Sequence, residues 1–172
     1  GVGSQADFTT IKFNSEGSAE WIERYNAPIN GDDRAFGIVV DRVGNIYVTG
    51  YIALVGNDIY TIKYNANGIY IWGRVITGTG NGDDRAFGIV TDSLGNNIYI
   101  CGYTDNDTTG FDFTVASYDS SGNSLWQRNY NGPGNDDDKA FGIVVDQAEN
   151  IYVTGYSTGV NSGWDLTTRK YN

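Results

Sequence analysis

The sequence predicts an all-β protein, and three observations carry this prediction. The apolar residues are mainly Ile, Val, Tyr and Phe, which strands favour, and hydrophobic residues make up 40% of the 172 residues. These runs are separated by the turn-forming residues Gly, Asn and Asp, and Gly alone occurs 24 times. The same apolar runs also recur along the chain, since 51 residues separate Ala35 from Ala86 and 54 separate Ala86 from Ala140. Many short strands joined by turns are therefore expected.

The first two strands of each repeat are apolar on both faces. In the first strand of the first copy, Phe36, Ile38 and Val40 alternate with Gly37 and Val39 instead of with polar residues. Strands of this kind are buried on both faces, as in a sheet packed between two others. The first strand recurs at 33–41, 84–92 and 138–146, and the second at 46–51, 98–103 and 151–156.

The third and fourth strands of each repeat are more polar. In the third strand, apolar residues alternate with polar ones such as Thr and Lys, which predicts an outer position in the sheet. This strand recurs at 7–14, 58–65, 112–119 and 165–172. The fourth begins at a Trp placed four residues after a turn glycine, as in Gly17 with Trp21, Gly68 with Trp72, and Gly122 with Trp126.

Four strands in a repeat of about fifty residues are typical of a β-propeller blade, a four-stranded antiparallel sheet packed beside its neighbours around an axis. A solenoid of stacked β-coils is the main structural alternative, although it usually repeats at shorter periods. We expect one propeller domain over residues 1–172 with about three blades. The repeat units are 18–65, preceded by an outer strand at 7–14, then 66–119 and 120–172.

These residues resemble the SBBP family, the bacterial seven-bladed β-propeller repeat. The similarity lies in residues 32–41, 44–51 and 58–65, followed by Gly68 and Trp72, and it recurs through most of the chain. In the third copy Glu149 replaces the turn glycine of Gly44 and Gly95. The resemblance implies a propeller that is secreted or on the cell surface, and it implies no particular activity. The Gly-to-Trp spacing is also similar to the tryptophan-docking motif of quinoprotein propellers, in which the Trp is a wedge between blades.

Composition argues against several functions. The formal net charge of −10 and a pI near 4.2 predict repulsion from nucleic acid and from anionic membranes, so neither is an expected partner. The chain has no His, which removes the commonest general base, and its single cysteine, Cys101, is expected to be a buried thiol. Paired carboxylates remain compatible with glycoside hydrolysis, but no Asp differs from its repeated copies. We therefore predict that the protein is not an enzyme.

The strand count predicts an incomplete ring. With strands lettered A to D outward from the axis, the chain reads CD, ABCD, ABCD, ABC, and so the last blade lacks its outer strand. We hypothesise that a second copy supplies this strand from its residues 21–25, giving a six- or seven-bladed homodimeric ring. Strands 7–14 and 165–172 are both copies of the third strand, so in such a ring they compete for the same position beside the shared outer strand. Alternatively, the chain is a piece of a longer propeller.

Acidic loops are expected on one face of the propeller. The D-to-A loops contain 30–33, 81–84 and 135–138, and the B-to-C loops emerge on the same side. Asp32, Asp83 and Asp137 are candidate ligand-binding residues there. The structural interpretation is that these carboxylates accept backbone N–H bonds, or form ion pairs with Arg34, Arg85 and Lys139 that fasten neighbouring blades.

A calcium site is the specific alternative for these loops. Asp105, Asp107 and Asp112 resemble an Asp-x-Asp-x-Asp-Gly loop, although Thr109 replaces the third acid and no Glu closes the loop. No other cofactor is expected.

Two aromatic residues break the symmetry of the B-to-C loops. Phe111 and Trp164 stand where the first two copies have Ala6 and Asn57. Exposed aromatic rings beside Asp and Asn suit sugar stacking, whereas packing against a neighbouring loop is the structural alternative. The sequence thus predicts a non-enzymatic extracellular scaffold or protein-interaction module, with Ca²⁺ or glycan binding as the alternative function.

Overall fold

A computed structural model describes residues 6–172, and every regular element in that range is a β-strand. No helix among these residues is long and apolar enough to cross a membrane. The strands are β1 (Phe8–Phe13), β2 (Ala19–Tyr25), β3 (Arg34–Val40), β4 (Ile46–Ala53), β5 (Asn57–Tyr64), β6 (Tyr70–Ile76), β7 (Arg85–Thr91), β8 (Asn97–Asn106), β9 (Gly110–Asp119), β10 (Ser124–Tyr130), β11 (Lys139–Val145), β12 (Ile151–Gly159) and β13 (Gly163–Tyr171).

The strands form four antiparallel sheets, each a meander of consecutive strands. The orders are β1-β2, β3-β4-β5-β6, β7-β8-β9-β10 and β11-β12-β13. The all-β fold and the four-stranded sheets are therefore confirmed, while the closed ring and its number of blades stay predictions. The sheets are offset by one strand from the predicted repeat units 18–65, 66–119 and 120–172. Strands β2, β6 and β10 begin those units, but each pairs through a tight turn with the strand before it.

The sheets pack face to face, with one apolar cluster in each of three junctions. Phe8 packs against Ile46 and Ile62 in the first junction. Ile59 and Ile98 belong to the second, and Phe113 and Val153 to the third. Strands β4 and β8, each the second strand of its repeat, are buried along nearly their whole length, as predicted. The same prediction was wrong for the first strand, since β7 and β11 are only partly buried at the edges of their sheets.

The third strand of the repeat is more buried than its polar residues predicted. Strand β5 is buried almost throughout, because both of its neighbours in the sheet and both adjacent sheets surround it. Its polar side chains are satisfied inside. The Thr61 hydroxyl lies 3.0 Å from that of Thr49, and the Lys63 ammonium donates to the Ser120 carbonyl at 2.7 Å and lies over the Tyr47 ring.

The tryptophans of the fourth strand are wedges between sheets, as predicted. Trp72 is buried, contacts Tyr118 of the next sheet, and donates its indole N–H to the Ser120 carbonyl at 3.2 Å. The glycine it needs is Gly122 of the next repeat, since a Cβ at Gly122 would lie 2.8 Å from the Trp72 ring. Trp21 uses Gly68 and the Ala66 carbonyl in the same way.

Both ends of the described chain leave apolar sheet surface uncovered. At the first end, Ala35 and Ile38 of β3 are exposed, whereas the equivalent Ile89 of β7 is buried against the preceding sheet. At the other end, β13 has no fourth strand beside it within residues 6–172, and Leu166 on that strand is exposed. Equivalent residues are therefore buried inside the array and exposed at its ends.

Candidate functional site

The D-to-A and B-to-C loops meet along one edge of the sheets, and we call this surface the loop rim. It comprises residues 26–33, 77–84, 131–138, 54–56, 107–109 and 160–162, with the strand ends beside them. Backbone hydrogen bonds join the two sets of loops. The N–H groups of Asp84 and Asp138 donate to the carbonyls of Asn57 and Phe111, each at 2.6 Å. The prediction that these loops share a face is thus confirmed.

The last Asp of each D-to-A loop is a buried structural clamp. Asp33 accepts N–H bonds from Ala27 at 2.6 Å and from Ala53 at 2.9 Å, so one carboxylate ties its loop to the end of β4. Asp84 and Asp138 repeat this arrangement. Burial raises the pKa of Asp84 to about 6, although its two backbone hydrogen bonds work in the opposite direction.

The Asp immediately before this clamp in each loop, predicted as a ligand-binding residue, has both carboxylate oxygens engaged. Asp32 Oδ1 accepts the Ala6 N–H at 3.1 Å, and Oδ2 pairs with Arg34 at 3.0 Å. Asp83 bonds Asn57 and pairs with Arg85, and Asp137 bonds Phe111 and pairs with Lys139.

The ion pairs exist, but they do not fasten the sheets to each other as predicted. Each joins residues two apart in one segment, such as Asp32 with Arg34, because an i, i+2 spacing along extended chain puts both side chains on one side. The link between sheets comes from the other oxygen of each Asp. Ligand binding by Asp32, Asp83 and Asp137 stays a prediction.

The basic residue of the second and third of these ion pairs also lies over an aromatic ring of the preceding sheet. The Arg85 guanidinium is 4.7 Å from the centroid of Tyr51, and the Lys139 ammonium is 4.7 Å from Tyr103 and 4.0 Å from Phe111. Sequence reasoning missed these contacts. The sequence does show a basic residue and a Tyr recurring at fixed positions of the repeat, which could have indicated such contacts. It does not show which sheet supplies the ring over which each cation lies.

Trp164 and Tyr156 form the same kind of aromatic platform at the last sheet. Their rings are 4.8 Å apart and nearly parallel, whereas those of Phe111 and Tyr103 are 4.9 Å apart and inclined by 56°. Trp164 is 71% exposed. Within residues 6–172, no Lys or Arg lies over the Trp164–Tyr156 pair, in contrast to the platform below Lys139.

The three carboxylates predicted to bind Ca²⁺ do not converge. Asp105 Oδ2 accepts the Gly82 N–H at 2.8 Å, and Asp112 Oδ2 accepts a bond from the Asn106 amide at 3.0 Å. Asp107 is held by its backbone, which donates to Thr79 at 3.4 Å. Throughout the described range 6–172, no three acidic or Cys side chains gather as a metal-holding group. Calcium binding therefore stays a prediction from the sequence, without support from this geometry.

Cys101 is buried in the interior of β8, as expected. Burial raises the pKa of its thiol to about 12, although a backbone hydrogen bond involving Gly88 works against this shift. A thiol with such a pKa is almost entirely protonated near neutral pH, and the protonated form is a weak nucleophile.

Comparison with solved structures gives a similarity of fold alone. A crystal structure of a eukaryotic initiation factor matches at 8% identity and a TM-score of 0.50, covering 96% of this chain and 40% of that one. An exo-1,5-alpha-L-arabinanase from a bovine ruminal metagenomic library matches at 14% identity and a TM-score of 0.39, over 96% and 65%. The periplasmic gluconolactonase of Pseudomonas aeruginosa matches at 10% identity and a TM-score of 0.35, over 95% and 63%.

This chain thus spans between 40% and 65% of the length of these three proteins. No curated protein matches it.

The sequence comparison with protein families is more specific. The SBBP beta-propeller repeat matches three times, at residues 20–53, 71–107 and 128–161. Together these segments cover more than half of the chain, and each contains an A and a B strand with the D-to-A loop of the loop rim before them. The chain therefore belongs to the SBBP β-propeller repeat family.

Proposed function

We propose that the protein is a non-enzymatic, extracellular scaffold that assembles by completing its open blade with β2 of a second copy. The observation that carries this proposal is the exposure of Leu166. This side chain is 86% exposed, whereas Ile59 and Phe113, at the same position of β5 and β9, are fully buried at 0%. The extracellular setting rests on the family resemblance.

The missing neighbour of Leu166 is an outer strand. In the complete sheets, Ile59 is opposite Ile76 of β6, and Phe113 is opposite Tyr130 of β10. The first sheet has the same register, with Phe8 opposite Tyr25 of β2. If β2 of a second copy pairs with β13, Tyr25 of that copy lies opposite Leu166.

This pairing displaces β1, because β1 and β13 occupy the same place in the repeat. Residues 6–172 of each chain form thirteen strands. With one strand displaced, two chains contribute twelve each, which form six four-stranded blades. A ring of two identical chains with two identical junctions has closed two-fold symmetry, the commonest arrangement of soluble oligomers.

The apolar surfaces at the two ends suit each other as neighbouring blades. Ile38 is 59% exposed, whereas the equivalent Ile89 and Ile143 are each 7% exposed because the preceding sheet covers them. Val144 and Leu166 are exposed on the outward face of the last sheet. Burying a side chain of this kind contributes about 1.5–3 kcal/mol. Three such side chains become buried at each of two junctions, whereas the displacement of β1 uncovers Phe8 in each chain. The net burial of about two side chains at each junction contributes about 6–12 kcal/mol, against an association penalty of about 4–15 kcal/mol.

The test is the molar mass of the chain in solution by light scattering over a dilution series. The expected species has twice the 18.7 kDa of one chain. Leu166→Asp is expected to give single chains, because a carboxylate would be buried beside Tyr25. Val55→Asp is the matched control, since Val55 is 88% exposed on a turn away from the open edge.

Phe8→Ala separates strand exchange from simple surface association. Phe8 is buried between β1 and the next sheet, and truncating such a side chain costs about 3–5 kcal/mol. Only the single chain has β1 docked, so the variant should dimerise more tightly. A folded wild-type chain of single mass at all concentrations would refute the proposal. A dimer that Leu166→Asp leaves intact would refute completion through β13.

Glycan binding is the second candidate, and the exposed, stacked Trp164 favours it. Flat aromatic platforms of this kind suit the apolar face of a sugar ring. Titration with cellohexaose or xylohexaose should then quench tryptophan emission in the wild type and not in Trp164→Ala. An unchanged emission at millimolar sugar would remove this candidate for those ligands. The same protein titrated calorimetrically with CaCl₂ tests the predicted calcium loop.

A further inference from the structure

We infer that Arg34 of one copy docks on the Trp164–Tyr156 platform of a second copy, and that this cation–aromatic contact locks the junction. The inference rests on the proposed function and deepens it, since it names the side chains that recognise each other. The same kind of contact already occurs twice within one chain.

The two internal junctions give the pattern. Arg85 begins β7 and lies over Tyr51 of the preceding sheet, and Lys139 begins β11 and lies over Tyr103 and Phe111. In both cases the same cation pairs with the Asp two residues before it. The contact therefore combines an ion pair with an aromatic face, which holds the cation between two sheets.

Arg34 is the same cation without its aromatic ring. It begins β3 and pairs with Asp32, as its equivalents do with their own carboxylates. Its side chain is 55% exposed, compared with 30% for Arg85 and 17% for Lys139. The residue at the Phe111 position of the first sheet is Ala6, which has no ring. The chain's own β1 therefore offers Arg34 no platform.

The Trp164–Tyr156 pair is the same aromatic platform without its cation. Its ring spacing of 4.8 Å is close to the 4.9 Å of Phe111 and Tyr103 below Lys139, although its rings are inclined by only 24° and those by 56°. Trp binds cations more strongly than Phe or Tyr, and Arg is the cation that stacks best on aromatic faces. One end of the chain thus carries the cation and the other end carries its platform.

This contact also favours displacement of β1 by β13. Only when β13 of the second copy takes the place of β1 does Trp164 stand at the position of Ala6, beside Arg34. The net charge of −10 on each chain opposes association, and a cation buried at the junction reduces this repulsion between the two chains.

A double-mutant cycle on the dimer tests the contact. Arg34→Ala and Trp164→Ala are each expected to raise the dimer dissociation constant by about tenfold or more, since every ring has two such contacts. Arg34→Lys should retain most of the affinity, as Lys139 holds the third junction. Arg42→Ala, which removes an exposed charge in the turn between β3 and β4, is the matched control and should have no effect.

The cycle distinguishes the possible failures. If the two side chains touch, the double variant should dimerise about as tightly as either single variant, because the second change has nothing left to remove. Effects that multiply would overturn the contact while leaving assembly by β2 in place. A wild-type chain that stays single would overturn the proposed function as well as this inference.

Discussion

The wedge residue Trp72 provides the sharpest test of how the sheets are held together. It is 5% exposed, contacts Tyr47 of its own sheet and Tyr118 of the next, and donates an indole hydrogen bond to Ser120. Trp72→Ala would leave a cavity between two sheets and remove one of the two hydrogen bonds that the Ser120 carbonyl accepts, the other coming from Lys63. We expect a stability loss of about 3–5 kcal/mol, of which about 1 kcal/mol comes from the lost hydrogen bond.

This loss is large beside the whole stability of an ordinary domain, which is about 5–15 kcal/mol. Trp72→Phe keeps an aromatic ring but loses the N–H group, so it should lose only part of this energy. Trp126→Ala is the internal comparison. Trp126 stacks on Tyr171 at the open end, where it is only half-buried, and its loss should be the smaller of the two alanine changes.

Urea unfolding followed by far-UV circular dichroism measures these differences at one fixed protein concentration. The midpoint for Trp72→Ala should fall while the slope stays constant, because the folded and unfolded states keep their compactness. A loss below about 1 kcal/mol would show that Trp72 only fills space beside sheets held by other contacts. A loss for Trp126→Ala equal to that for Trp72→Ala would contradict the assignment of the open end.

Two further predictions concern single sites. The pKa of Asp84 is raised to about 6 from an ordinary value of 3.8, so its carboxyl should titrate near pH 6 in a carbon-13 NMR titration. The stability that comes from its protonation is complete below about pH 4 and is lost as the pH rises through about 6. A titration midpoint below about pH 4 would contradict this. Glu149 has a φ of 63°, in the left-handed region where Gly44 has 87°. Glu149→Gly should therefore raise the free energy of unfolding in urea by about 0.5–1 kcal/mol, and Gly44→Glu should lower it by a similar amount. Unchanged free energies of unfolding would show that these turns carry no strain.

Much of the fold could be predicted from the sequence, because strand order follows from local patterns. Apolar runs such as 46–51 and the turn before Trp72 each specify their own strand, and repetition supplies the same evidence three times. The burial of the third strand could not be predicted from these patterns. Lys63 and Thr61 are polar, and only the partners Ser120 and Thr49 make their burial favourable.

The candidate site was predicted less completely. The loops that form the rim and the exposure of Trp164 agree with the predictions. Asp105, Asp107 and Asp112 do not converge on one point, because the carboxylate or the backbone of each makes a separate hydrogen bond within the loops. The sequence likewise contains Arg85 and Tyr51 without indicating that they meet. A short motif specifies a turn, whereas a contact between repeats depends on how one sheet is rotated against the next.

By itself, the sequence determined the family, the strands and their meander order, because hydrogen bonding between consecutive strands depends on local pattern and turn geometry. Only the tertiary structure decided which of the equivalent residues are covered. Ile89 and Ile38 have the same chemistry, yet one is buried and the other exposed, since burial depends on whether a neighbouring sheet is present. The surfaces from which assembly is proposed are those where the repeat lacks that neighbour.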